Sequence, residues 1–177
     1  MKTRSAAGFA VVDLLFVCAI IGILAGMATP GLLNAKNNAR GVSAVGSLRM
    51  IAASEITYAL TCGSGFYSPD LTTLGIPAAG STDPFLAPDL TSANTVSKSG
   101  YMITVSGTAV ATTPPTCNGV PAGTTSQGFV ATADPQNPGA NSRYFGVNVN
   151  AVIYEDTASF TGVMTETNIP PSGRPIH

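Results

Sequence analysis

The chain has 177 residues, of which 45% are hydrophobic and only 10% charged, and its formal net charge is −1. That length allows one domain plus a membrane segment. A near-neutral, weakly acidic balance excludes the basic footprint of a nucleic-acid binder.

Met1 to Ala7 is a short basic stretch carrying Lys2 and Arg4. Such residues stay on the cytoplasmic side of a membrane. The stretch Gly8-Phe9-Ala10-Val11-Val12-Asp13-Leu14-Leu15 then opens an apolar run that continues to Leu33. No charged residue occurs from Leu14 to Ala35. A helix of about 20 apolar residues crosses a bilayer core, so this run is long enough. Asp13 sits inside it, where an ionisable group is costly and marks a functional hypothesis. Gly22, Gly26 and Gly31 let helices approach closely in lipid. Pro30 removes a backbone hydrogen bond and favours a kink or break.

A Gly, then an aromatic, then an apolar run with an acid five residues past the Gly resembles the class III signal of type IV pilins and pseudopilins. The resemblance implies that a prepilin peptidase cuts between Gly8 and Phe9 and methylates the new N-terminus on Phe9. Pro30 matches a proline habitual in the family's membrane segment. Asp13 stands where the family usually carries Glu. In the functional reading, the Asp13 carboxylate neutralises the Phe9 amine of its own chain or of a neighbour. A lone charge in a low-dielectric core costs several kcal/mol, and a paired one far less. Two alternatives stay open: Asp13 as a polar residue tolerated near the membrane interface, and an ordinary signal peptide. The latter would use Lys2 and Arg4, the apolar Leu14–Leu24, and a cut after Gly26-Met27-Ala28, leaving Thr29 first.

From Asn34 to Cys62 the pattern stays helical. Val42, Val45, Leu48, Ala52, Ile56 and Ala59 recur at spacings of three and four and mark one apolar stripe. Lys36, Arg40, Arg49 and Glu55 fall largely off it. Cys62-Gly63 ends the helix, with Gly63 a candidate left-handed cap. Residues 63–99 read as a connecting loop region. Within it, Gly-Phe-Tyr-Ser-Pro-Asp-Leu-Thr-Thr-Leu-Gly (65–75) resembles the segment after the long helix in many pilins.

Strands follow. Gly100 to Val105 is the first, and Ser106-Gly107 turns it toward Thr108–Thr112. Residues 113–125 form a loop around Cys117. Gln127–Ala133, Arg143–Val149 and Ala151–Glu155 are further strands, the last two a hairpin through Asn150. Strands in a row with short links argue an antiparallel meander. Residues 156–177 read as an exposed tail. The expected class is α+β: a long N-terminal helix packed on an antiparallel sheet of about four strands, as the pilin resemblance also implies.

If the C-terminal part is exported, Cys62 and Cys117 are the natural disulfide pair. Cys18 is then a small apolar packer. Catalysis has little to stand on. The one histidine, His177, ends a Pro/Gly tail, and Cys62 and Cys117 lack ligand-like neighbours. Asp83, Asp89, Asp134, Glu155 and Asp156 carry carboxylates of the kind that bind calcium in some pseudopilins, but their spacing demands no metal. No enzyme activity, cofactor or metal is expected.

The organisation expected is therefore a leader at 1–8, a transmembrane or filament-core helix at 9–33 and its amphipathic half at 34–62. The connecting region occupies 63–99, the sheet 100–155 and the tail 156–177. The function expected is a structural subunit of a type IV pilus or pilus-like filament. Alternatives are a secretion-system pseudopilin and, further off, a soluble secreted binding module. The implied partners are identical or related subunits, the prepilin peptidase, an inner-membrane assembly platform and, before assembly, the membrane. No nucleic-acid partner is expected. The implied location is the bacterial inner membrane first and the cell surface afterwards.

Overall fold

One helix, α1, runs from Val11 to Thr61. The computed structural model describes residues 11–139 and 142–176. Beyond α1 come two single-turn helices, α2 (Leu71–Leu74) and α3 (Pro88–Thr91). Six strands follow: β1 (Thr95–Lys98), β2 (Tyr101–Ser106), β3 (Val130–Pro135), β4 (Tyr144–Asn148), β5 (Ile153–Asp156) and β6 (Arg174–Ile176). They form one sheet in sequence order, every neighbouring pair antiparallel. The fold class is α+β, as the sequence pattern predicts.

The chain divides into two compact units, one ending at Ala39 and one beginning at Arg40. In the first, residues 11–39 are helical and every described side chain is exposed. In the second, which we call the head, α1 turns one face inward. Ala44, Leu48, Ile51, Ala52 and Tyr58 are buried there with Ile103, Ala131, Phe145 and Val147 of the sheet. Burying a Leu, Ile or Phe side chain stabilises by about 1.5–3 kcal/mol, so this seam dominates the head.

The inward face differs from the predicted stripe. Leu48, Ala52 and Ala59 are buried, but Val42 is 70% exposed and Ile56 also faces out. Glu55 is fully buried instead. The true face runs through Leu48, Ile51, Glu55, Tyr58 and Cys62, also at spacings of three and four. The two readings are rotated by about one residue, and the polarity of Glu55 hid the better one.

The sheet has six strands where about four are predicted. β1 comes out of the connecting region and β6 out of the tail. Residues 108–112 make no strand; Ala109 forms an isolated bridge to Ser126. The reason is topological: β2 is already paired on both sides, by β1 and β3. The β4–β5 hairpin turns as expected, with Ala151 N–H donating to Asn148 O at 2.9 Å and Ala151 in the left-handed region at φ 55°.

The tail is not simply exposed. Phe160 and Met164 are buried with Val130 and Tyr154 on the sheet face away from α1. They approach Gly146 so closely that a Cβ there would lie 3.0 Å from the Phe160 ring and 3.1 Å from Met164 sulfur. Asn148 anchors the same segment by donating to Thr165 O and Asn168 O at 2.9 and 2.7 Å. This cover explains why β3 is buried on both faces.

Candidate functional site

The features predicted to matter fall in α1 and at the disulfide. Gly8 and Phe9, the predicted cleavage and methylation site, lie outside the described residues. Asp13 lies in the first turn of α1 with its side chain exposed. Its predicted partner, the Phe9 amine, is outside the described residues too. The helix that starts here is long and apolar enough, by length and composition, to cross a membrane. Its helical assignment continues across Pro30 without interruption. Proline deletes a single amide donor, and the neighbouring turns keep the rest of the ladder.

Cys62 and Cys117 form a disulfide with an S–S distance of 2.01 Å and Cα atoms 4.8 Å apart. Closing a loop of sequence separation 55 restricts the unfolded chain by about 4 kcal/mol in the chain-entropy treatment. The bond ties the C-terminal end of α1 to the 113–125 loop, and Cys117 N–H donates to Cys62 O at 3.2 Å. Cys18 is free and exposed. Gly63 ends the helix, though not as the left-handed residue; Ser64 and Gly65 take that conformation. Gly63 is needed for space, because a Cβ would sit 2.0 Å from Phe66 O.

Glu55 was not legible as a special residue. Its carboxylate lies in the apolar seam beneath the segment that follows the helix. Ser68 N–H donates to Oε2 at 2.8 Å, and Ser68 Oγ lies 2.9 Å from Oε1. The same Ser68 hydroxyl lies 2.8 Å from Asp70 O. Burial pushes the Glu55 carboxyl up to about 8. The bonds from Ser68 pull the other way, and the nearby Asp70 charge adds to the rise.

A second buried acid has the opposite surroundings. Glu155 on β5 is paired with the Arg143 guanidinium, and Arg174 Nη2 lies 3.4 Å from its other oxygen. The bond from Arg143 holds Glu155 below the usual carboxylate range. Arg143 also lies 5.3 Å from the centre of the Phe145 ring, and its backbone carbonyl accepts from the Tyr101 hydroxyl at 3.1 Å. Gly41 of α1 sits against this cluster; a Cβ there would be 3.4 Å from Phe145 and 3.6 Å from Arg143.

The remaining carboxylates are engaged separately. Asp89 pairs with Lys98 at 2.7 Å, and Asp134 accepts from Ser159 and Thr161 at 2.6 and 3.2 Å. Among the described residues, no three His, Cys, Asp or Glu side chains gather around one point. His177 lies outside the described residues. An open groove of about 490 Å³ lies on the outer sheet face between β2, β3 and residues 161–166. Its hydroxyls largely satisfy one another: Thr104 and Thr132 lie 2.9 Å apart, and Thr132 and Thr161 3.2 Å.

The chain thus combines an apolar helix whose described side chains are exposed with a disulfide-closed head that buries one acid against Ser68 and another in an ion-pair cluster. No family model, no curated protein and no solved structure matches it.

Proposed function

We propose that this chain is a structural subunit of a type IV pilus or a related pilin-type filament. The observation that carries the reading is the first half of α1. From Val11 to Leu33 its described apolar side chains are exposed all round, including Leu14, Leu15, Phe16, Ile21, Ile23 and Leu24. Exposure of that much apolar surface to water is strongly unfavourable, so the segment needs lipid or a partner of like character. In the proposed function it has both in turn. The pre-protein waits in the inner membrane, the peptidase cuts between Gly8 and Phe9, and the helices then pack on one another.

The chemistry of assembly rests on Asp13. Cleavage leaves a positive amine on Phe9, and Asp13 supplies the compensating carboxylate in a bundle of like helices. Asp is one methylene shorter than Glu, so the two groups must lie close or share a water. The role is assembly, with no catalytic step. A pseudopilin of a secretion system uses the same steps and is distinguished by the length and location of its filaments.

Intact mass of the mature protein tests the reading. A chain beginning at N-methyl-Phe9 is expected. A start at Thr29, or an uncut chain, overturns it. Asp13→Ala is expected to be cleaved normally and to give at least tenfold fewer filaments by electron microscopy. Normal filaments from that variant would remove the charge-pair argument.

A further inference from the structure

One proton and two acceptors meet at Ser68. Its hydroxyl lies 2.9 Å from Glu55 Oε1 and 2.8 Å from Asp70 O. A hydroxyl carries a single hydrogen and donates to one of them. If Glu55 were ionised, that one hydrogen could serve only one of these two short contacts, and the other would bring two oxygens within 2.9 Å with no hydrogen between them. A proton on Glu55 Oε1 resolves this: Glu55 O–H donates to Ser68 Oγ, Ser68 O–H donates to Asp70 O, and Ser68 N–H donates to Glu55 Oε2. Each donor then has one acceptor.

We propose that Glu55 is held as a neutral acid and works as a proton-operated latch, holding the Tyr67–Asp70 segment on α1 while protonated and releasing it when the proton leaves. The surroundings support a neutral acid. Glu55 is fully buried, and the charged neighbour acting on it is Asp70, an anion. Tyr58, one turn along the helix, is itself pushed up by burial and by Glu55 and Asp70. The 113–125 loop contains no ionisable side chain except Cys117, which is locked in the disulfide. On the inner sheet face, Tyr101 and Glu155 answer to Arg143. Nothing cationic among these groups compensates a Glu55 anion. An ionised carboxylate there must reach water, and the cover in its way is the segment around Ser68.

That segment is anchored at both ends and bonded to α1 between them. At its start, Tyr67 pairs with Ser126 through both backbone bonds, at 2.8 and 3.2 Å. At its end, Asp70 caps α2 by accepting from Thr73 N–H at 2.9 Å. Between those anchors, Ser68 is the side chain bonded to α1. Burial pushes the Glu55 carboxyl to about 8, so the latch would respond just above neutral pH. It does not depend on the filament reading.

The test uses the full chain in detergent micelles, with backbone NMR from pH 6 to pH 10. The Ser68 amide shift is expected to titrate with a midpoint near 8 in wild type. Exchange protection of residues 67–70, corrected for the intrinsic pH dependence, is expected to fall at least tenfold over that range. Glu55→Gln keeps the shape and hydrogen bonds of the neutral acid and is expected to abolish both changes. A midpoint below 6 overturns the neutral acid, and no titration between pH 6 and pH 10 overturns the latch. Titration without loss of protection overturns the latch, as does an unchanged pH response in Glu55→Gln. The wild-type titration decides the matter even if that variant fails to fold.

Discussion

The two halves of α1 share one helical assignment and stand in opposite relations to their surroundings. From Val11 to Leu33 the helix is apolar on all sides, and its described side chains are exposed. From Gly41 to Cys62 it is apolar along one face, and that face is buried against a sheet. A helix apolar all round needs a medium or partners from outside the chain, whereas a striped helix finds its partner within it. The same helix therefore presents two kinds of surface: one buried within the head and one whose described side chains the chain leaves exposed.

Several experiments sharpen or break that contrast, the strongest first. Removing the disulfide with Cys62→Ser and Cys117→Ser is expected to destabilise the head by about 4 kcal/mol. Thermal unfolding in detergent checks this, and an unchanged melting temperature would show that the bond constrains nothing. Next, Leu48→Ala empties a fully buried site and is expected to cost the head about 3 kcal/mol. Leu24→Ala, on the exposed half, is expected to leave head stability within about 0.5 kcal/mol. Equal losses from the two leucines would erase the distinction between the halves.

A second comparison lies inside the head. Glu55 and Glu155 are both buried, yet their carboxyls shift in opposite directions. Glu155 faces Arg143 and Arg174, whereas Glu55 faces a serine and an anion. Arg143→Ala is expected to cost about 2 kcal/mol, since a buried acceptor loses its main donor. The sign with pH follows from the lowered Glu155 value. The folded state binds the proton more weakly than the unfolded state, so the ion pair stabilises above the ordinary value of 4.5. That contribution is lost as pH falls through the lower folded value. Wild type and Arg143→Ala should thus differ at neutral pH and converge in acid. Glu55 gives the reverse. Its raised value means stability is greatest below 4.5 and declines as pH rises to about 8, with no further loss beyond.

The smallest effect concerns the start of α2. Asp70→Ala removes the cap on Thr73 N–H and is expected to cost about 1 kcal/mol. Chemical denaturation resolves this. A loss several times larger would mean that Asp70 carries part of the Glu55 latch through its side chain as well as its backbone.

What the sequence determined by itself was whatever depends on local pattern. An uncharged run from Leu14 to Ala35, recurrent apolar spacing beyond Asn34, and β-prone segments divided by turn residues were enough for the α+β class and the antiparallel order. Two cysteines outside the apolar run, Cys62 and Cys117, were enough to name the disulfide once export was assumed. Tertiary structure alone decided what depends on distant partners. β1 and β6 are too short and polar to register as strands, and exist because β2 and β5 offer edges. Phe160 and Met164 turn an apparent tail into a cover because Gly146 leaves room beneath them. Glu55 reads as a surface charge on any helical wheel, since periodicity weighs residues by polarity. Its burial is possible only because Ser68, thirteen residues on, brings a donor and an acceptor to its carboxyl.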